Sequence, residues 1–346
     1  MQNERRSPDW QRNAHLERWL GEVNDWLQPA ERNAQDDLLV AGPHRPQVLV
    51  LGAPRSGTTL MMQWLAASGR VAYPTNWMSR FFAAPTIGLR LQQLLTDPAL
   101  GFRGELDDLD PNPVGFDSAL GKTRGALAPN EFWYFWRRFL PTVEIEPLGA
   151  RASEVDGAGL RAGLRALAAA AGKPFAAKGM MLQYDLPLFA QLLPEAFFVH
   201  VVRDGVSNAQ SLLQARQSFF GDVRTWYSAK PPEFARLVDK SPQAQVVGQV
   251  FHTQAAIRQG LDSVPQGRWL EVPYAAFCHD PGAIHEQLWA RLDAMHEAAG
   301  CPLDGERPPA YTGPSSFRCT DLSEERQDRE AALQDLVQAW RALSTS

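Results

Sequence analysis

Residues 48–65 read VLVLGAPRSGTTLMMQWL: an apolar run, a glycine, a short polar turn and a second apolar run. The first run suits a buried strand, Gln47 to Gly52, and Leu60 to Ala67 reads as a buried helix. Between them Gly52 and Gly57 bracket four residues, giving the spacing G-x-x-x-x-G. That spacing carries meaning where, as here, a strand enters it and a helix leaves it. Gly57 permits close backbone approach, and the N–H groups of Ser56 to Thr59 would face an anion at the helix N-terminus. The helix dipole favours a negative group there by about 0.3–1 kcal/mol. A nucleoside triphosphatase carries lysine directly after the second glycine, and this chain carries Thr58. A neutral hydroxyl cannot replace a charge-assisted contact to a γ-phosphate. The positive charge is Arg55, inside the turn, so the loop suits a single terminal phosphate better than a magnesium triphosphate.

Outward from this loop, strands alternate with helices. GLRAGLRALAAAAG reads as an alanine-rich helix closed by Gly172. PFAAK, AFFVHVV and RWLEVPY read as strands; LPLFAQLLP, GVSNAQSLLQAR and AIHEQLWARLDAMHEAAG read as helices. Strands that are apolar throughout are covered on both faces, so the expected fold class is α/β, a mostly parallel sheet flanked by helices. Residues 71–140 mix turn residues with two aromatic clusters and keep no steady period. They are expected to be an irregular, partly helical insertion that shapes a pocket. Before the loop, Leu16, Trp19, Leu20, Val23, Trp26 and Leu27 form a helical stripe followed by Pro29, and Gly42, Pro43 and Pro46 punctuate the approach to the strand. Residues 1–45 are therefore read as a helical appendage packed on a single domain spanning 46–346. EERQDREAALQDLVQAW reads as a surface helix.

Composition excludes several classes. The net charge is -5 and no lysine–arginine tract is present, so nucleic acid is not expected and an anion must be held by a local site. No stretch reaches the roughly 20 apolar residues of a membrane span. The N-terminal MQNERRSPDW lacks the apolar centre of a signal peptide. Cys278, Cys301 and Cys319 are odd in number and show no CxxC spacing, which fits structural thiols in a reducing, cytoplasmic setting. A homo-oligomer stays open.

A second motif lies in FFVHVVRDGVSNAQSLL, where Arg203 closes an apolar strand and Ser211 follows in the next helix. Arginine at a strand's C-terminal edge sits where open α/β sheets bind ligands, and its planar fork suits phosphate. Lys178 ends the preceding strand, and Tyr274 closes LEVPY. Taken in order, APRSGTTL, Lys178, Arg203 with Ser211, and LEVPYAAF resemble the sulfotransferases that use 3′-phosphoadenosine 5′-phosphosulfate (PAPS). The likeness is to the bacterial-type, P-loop-like members and extends over most of the chain after residue 45. The resemblance implies that Arg55, Ser56, Gly57, Thr58 and Thr59 hold the 5′-phosphate and that Arg203 and Ser211 hold the 3′-phosphate. It places Lys178 at the bridging oxygen and Tyr274 near the adenine. Ala275 and Ala276 stand where the family has an acidic pair. It also implies no metal, a small-molecule acceptor, and release of 3′-phosphoadenosine 5′-phosphate (PAP).

A hydroxyl or amine acceptor needs a base. The histidine some members place after the lysine is Met180 here, and AYPTNWMSRF lacks the glutamate that others use. The remaining candidates are Glu131 first, then Asp117 and Glu105. Glu131 sits among aromatics, where its pKa is expected to rise. His200, inside the apolar strand, reads as a buried structural histidine, and His252 has no motif around it. Arg318, in GPSSFRCTD, is the candidate third contact to the 3′-phosphate. Trp77, Phe81, Trp133 and Trp136 are either acceptor-pocket walls or core. Two rival functions stay open: a nucleotide kinase or phosphotransferase, with Asp204 on magnesium, and a non-catalytic module that binds PAPS or PAP.

Overall fold

The structure is a computed structural model and describes residues 6–41, 45–101, 114–298, 310–322 and 331–345. In chain order the elements are α1 (Ala14–Ala41), β1 (Gln47–Leu51), α2 (Thr58–Ala67), α3 (Pro85–Thr96), β2 (Ser118–Ala119), β3 (Lys122–Thr123), α4 (Trp133–Trp136) and α5 (Gly157–Ala171). There follow β4 (Phe175–Lys178), α6 (Leu186–Leu192), β5 (Ala196–Val202), α7 (Gly205–Phe220), α8 (Phe234–Leu237), α9 (Pro242–Leu261), β6 (Trp269–Pro273), α10 (Tyr274–His279), α11 (Pro281–Ala298) and α12 (Ala331–Ser344).

β4, β1, β5 and β6 form one parallel sheet in that order. Successive side chains of a strand point to opposite faces, and here both faces are covered. Leu49 and Leu51 enter one core with Phe198 and the α5 leucines 160, 164 and 167. Val48 and Val50 enter the other with Val199, Val201 and residues of α2, α10 and α11. This double burial makes β1 and β5 read as unbroken apolar runs. The chain leaves β1 to build β4 on one side, then crosses to build β5 on the other. The loop after β1 therefore opens at the switch point of the sheet, where ligands of such folds bind.

The helix before the sheet departs from its expected course. Pro29 does not end it; α1 runs on to Ala41 with Pro29 inside. An internal proline removes one helix hydrogen bond, but tertiary contacts hold the helix on either side of it. Asn24 donates to the Arg80 carbonyl at 2.7 Å and accepts from the Ala83 N–H at 2.7 Å. Glu31 accepts from the N–H groups of Thr86 at 3.0 Å and Ile87 at 3.1 Å. The docking face is accordingly centred on buried Asn24 and Glu31, while Trp19 and Trp26 point outward at 49% and 69% exposure. The expected stripe placed both tryptophans inward.

Within 71–140, α3 is more regular than expected. Its N-terminus at Ala84 has no side-chain cap of its own. Pro85 in the first turn is a local start signal, but the capping carboxylate comes in trans from Glu31 of α1. α9 is harder to read than its neighbours because Gln245, Gln249, Thr253 and Gln254 share its buried side with Val246, Val250, Ile257 and Leu261. The buried Arg216 guanidinium donates to Gln245 at 2.6 Å and Gln249 at 3.0 Å, satisfying groups that would otherwise be costly to bury. α12 is not purely a surface helix. Leu333 and Leu336 are buried against α7 and α9, and a Cβ at Gly205 would strike Trp340 at 2.2 Å. Gly42, Pro43, Glu105 and Cys301 lie outside the described residues.

Candidate functional site

The loop after β1 is held in a strained form. Arg55 has φ +71, unfavourable for a residue with a side chain, and its carbonyl accepts a hydrogen bond from Arg203 Nη1 at 3.1 Å. Gly57 has φ +106, and a Cβ there would lie 2.5 Å from the Tyr274 ring. Glycine at 57 is thus demanded twice, by backbone conformation and by the ring packed on it. Ser56 is fully buried, and its hydroxyl finds no partner among the described residues. Thr58 is buried at the start of α2.

The two arginines meet. Arg55 Nε donates to Ser211 Oγ at 3.4 Å on α7. Arg203, at the end of β5, lies 5.0 Å above the Tyr274 ring centroid. Its Nε donates to Asp321 at 2.5 Å and its Nη2 to the Thr320 carbonyl at 2.8 Å. Tyr274 and Thr320 hydroxyls are 3.2 Å apart. The C-terminal segment therefore does reach Arg203, through Thr320 and Asp321. Arg318 itself is exposed.

On the other side, buried Lys178 donates to Thr59 Oγ1 at 2.8 Å and to Glu131 Oε1 at 3.1 Å. Glu131 Oε2 accepts from Lys122 at 2.8 Å and from the Trp133 indole at 2.7 Å. The expected rise in the Glu131 pKa is corrected here. Burial pushes it up, but Lys122 and Lys178 with the indole N–H hold it well below the usual carboxylate range. The aromatic neighbours supply a hydrogen bond as well as an apolar wall. The Lys178 ammonium is lowered by burial, and Glu131 opposes that shift. Burial likewise lowers the Arg55 guanidinium.

Asp117 is exposed, and its carbonyl accepts from Gln63 at 2.9 Å. His200 is buried with Nδ1 3.2 Å from Glu271, and His252 Nδ1 lies 3.5 Å from Glu233. Burial pushes the Cys278 thiol up to about 11, against a reactive role. Sequence reading missed Lys122, Thr320 and Asp321. Lys122 follows the tight turn Leu120–Gly121, both at positive φ, and the strands it joins are two residues each, too short to show a period. Asp321 has no local signal; only the course of the chain brings it to Arg203.

Beside Lys122 and Trp133 opens a cavity of about 760 Å³. Trp77 and Trp133 line it, together with Leu16 and Leu20 of α1. Phe81 instead packs on Trp77, with ring centroids 5.8 Å apart, and Trp136 is buried in the core beside Phe135. Among the described residues no group of three or more His, Cys, Asp or Glu is placed to hold a metal ion, and no helix is long and apolar enough to cross a membrane.

Comparison with known proteins assigns the class. Residues 46–297 match the model of the sulfotransferase family. The chain belongs to that family, and its parallel sheet flanked by helices is the P-loop-like sulfotransferase fold. It is similar to the solved sulfotransferase STF9 from Mycobacterium avium at 16% identity, covering 94% of this chain and 82% of that one, TM-score 0.45. It is similar to sulfotransferase STF1 from Mycobacterium tuberculosis H37Rv at 12% identity, covering 91% and 81%, TM-score 0.47. A sulfotransferase domain from the curacin biosynthetic pathway shows 14% identity over 88% of this chain and 99% of its own, TM-score 0.41. No curated protein matches the chain.

Proposed function

We propose that the chain transfers the sulfuryl group of PAPS to a hydroxyl or amine of a small-molecule acceptor and releases PAP. The observation that carries this reading is the meeting of the two arginines at the switch point, where Arg203 Nη1 contacts the Arg55 carbonyl and Arg55 Nε contacts Ser211. Two cationic side chains brought together at the switch point suit one ligand with two anionic ends. The site fits such a donor on its own chemistry. Ser56 keeps an unspent buried hydroxyl, the Gly57 backbone lies directly against the Tyr274 ring, and the Arg203 fork, held here by Asp321 and Thr320, would serve an anion that displaces them.

In this reading Arg55, Ser56, Gly57, Thr58 and Thr59 hold the 5′-phosphate, and Arg203 and Ser211 hold the 3′-phosphate. Tyr274 flanks the base, and Arg318 lies close in sequence to the segment that covers Arg203. Lys178 neutralises charge on the leaving oxygen, where a fixed cation in a dry site is most effective. Glu131 is the acceptor-side carboxylate. Held by two lysines it is a weak base, and its basicity rises when Lys178 turns from it towards the donor.

The test is a thermal shift with PAP against ATP, followed by transfer from PAPS to a panel of alcohols, phenols and amines. PAP at 100 times its Kd should add about 2.7 kcal/mol of stability. Stabilisation by magnesium-ATP and indifference to PAP would instead favour a phosphotransferase. Tight PAP binding with no transfer would favour a binding module.

A further inference from the structure

α1 precedes the family-matched segment, yet it builds one side of the cavity beside the lysine pair through Leu16, Glu17 and Leu20. It is fixed there by polar contacts. Glu17 accepts from the Tyr134 hydroxyl at 2.5 Å, and buried Asn24 and Glu31 tie the helix to residues 80–87. The lining also includes Lys122 and Trp133, both bonded to Glu131, which in turn touches Lys178. A molecule in the cavity therefore touches α1 and the two residues that hold Glu131.

The lining also speaks to the molecule's chemistry. Most of its interior polar groups are engaged by the protein, while the Trp77 indole N–H has no partner among the described residues and Arg80 and Lys122 bring charge to its exposed rim. Asn76 Nδ2 donates to Thr123 Oγ1 at 3.2 Å and the Gly125 carbonyl at 2.9 Å, and its Oδ1 accepts from Asn130 at 2.8 Å. Thr123 donates to the Pro129 carbonyl at 2.7 Å, and Glu17 is held by Tyr134. Beyond the Trp77 N–H and the rim charges, a sugar's many hydroxyls would find few partners to replace their water hydrogen bonds, at a cost for each. The indole rings of Trp77 and Trp133 with Leu16 and Leu20 favour apolar, ring-bearing surface. The volume of about 760 Å³ lies in the range of small-molecule sites.

We propose that α1 is the specificity wall of the acceptor site, and that the acceptor is an alcohol or phenol with an apolar, ring-containing body rather than a carbohydrate. The acceptor role rests on the sulfotransferase reading above; the wall and the preferred chemistry are read from the cavity.

The test uses the full chain with and without PAP and two probes, estradiol and N-acetylglucosamine, followed by calorimetry. Estradiol should bind, N-acetylglucosamine should not, and Leu20→Trp should weaken estradiol at least tenfold while PAP affinity holds. Leu16→Trp, one turn earlier on the same face, replaces it should Leu20→Trp lower the melting temperature. Binding of the sugar alone, binding of neither probe, or estradiol affinity unmoved by a folded filling variant overturns the proposal. Estradiol binding in a chain that ignores PAP would sink the donor reading and leave the wall standing, so the two failures are told apart.

Discussion

Arg203 is a residue with two claimants. Asp321 occupies its Nε edge, so a phosphate seeking the fork competes with a carboxylate supplied by the protein. Arg203→Ala should weaken PAP binding by about 1.5–3 kcal/mol, the usual worth of a hydrogen bond to a charged group. Asp321→Asn should do the reverse, tightening PAP because the competing charge is gone. Titration calorimetry on the two variants reads both signs, and equal weakening in each would remove Asp321 as a competitor. Glu131 lies between two lysines, and its loss leaves Lys178 buried without a counter-charge. Glu131→Gln should destabilise the fold by about 3–5 kcal/mol, the range for breaking a buried ion pair. Urea unfolding checks this, and an unchanged midpoint would mean that Lys178 finds another partner. Both assignments depend on contacts between segments far apart in the chain, so neither partner was legible from the motif that named Arg203 or Lys178.

At the scale of the element, the loop and its flanking strand and helix were legible because everything they need is local: an apolar strand, glycine at a left-handed position and an apolar helix. α3 was only partly legible, because its capping carboxylate comes from α1. Glu31→Ala should leave the Thr86 and Ile87 N–H groups unpaired and cost about 1–2 kcal/mol, as for the loss of an N-cap. Native-state hydrogen exchange should show faster exchange at the first turn of α3, and unaltered protection there would reassign the cap. α9 was obscured for a related reason. Its buried side mixes Val246, Val250, Ile257 and Leu261 with glutamines that serve Arg216 and the carbonyls of Tyr227 and Ala229, which weakens its hydrophobic period.

For the whole molecule, buried and half-buried carboxylates set the response to acid. Burial alone would raise the Glu195 pKa, but the Arg161 and Arg165 forks hold it down to about 2. Glu271 is held to about 2, first by His200 and then by Arg258. A carboxylate whose pKa is depressed on folding stabilises the native state above its ordinary pKa, and that stability is lost as pH falls through the folded value. The midpoint of urea unfolding should therefore stay level from neutral pH to about 5 and fall steeply between about pH 4 and 2. A flat profile down to pH 3 would show that these pairs persist in the unfolded chain. Glu195→Gln should flatten part of the fall.

By itself the sequence determined the parallel α/β sheet and the glycine loop after its first strand, since each follows from a pattern confined to a few neighbouring positions, and it named Arg55, Lys178, Arg203, Ser211 and Tyr274 as candidates, Lys178 and Tyr274 through the family resemblance. Tertiary structure alone decided that Arg55 and Arg203 touch, that Glu131 is held ionised by Lys122 as well as Lys178, and that Asp321 closes on Arg203. It alone carries α1 past Pro29 to wall a cavity. The reason is physical. Hydrophobic period and backbone conformation act over a single turn or strand, whereas charge pairing, capping in trans and cavity shape depend on which distant segments the sheet order brings within hydrogen-bond reach.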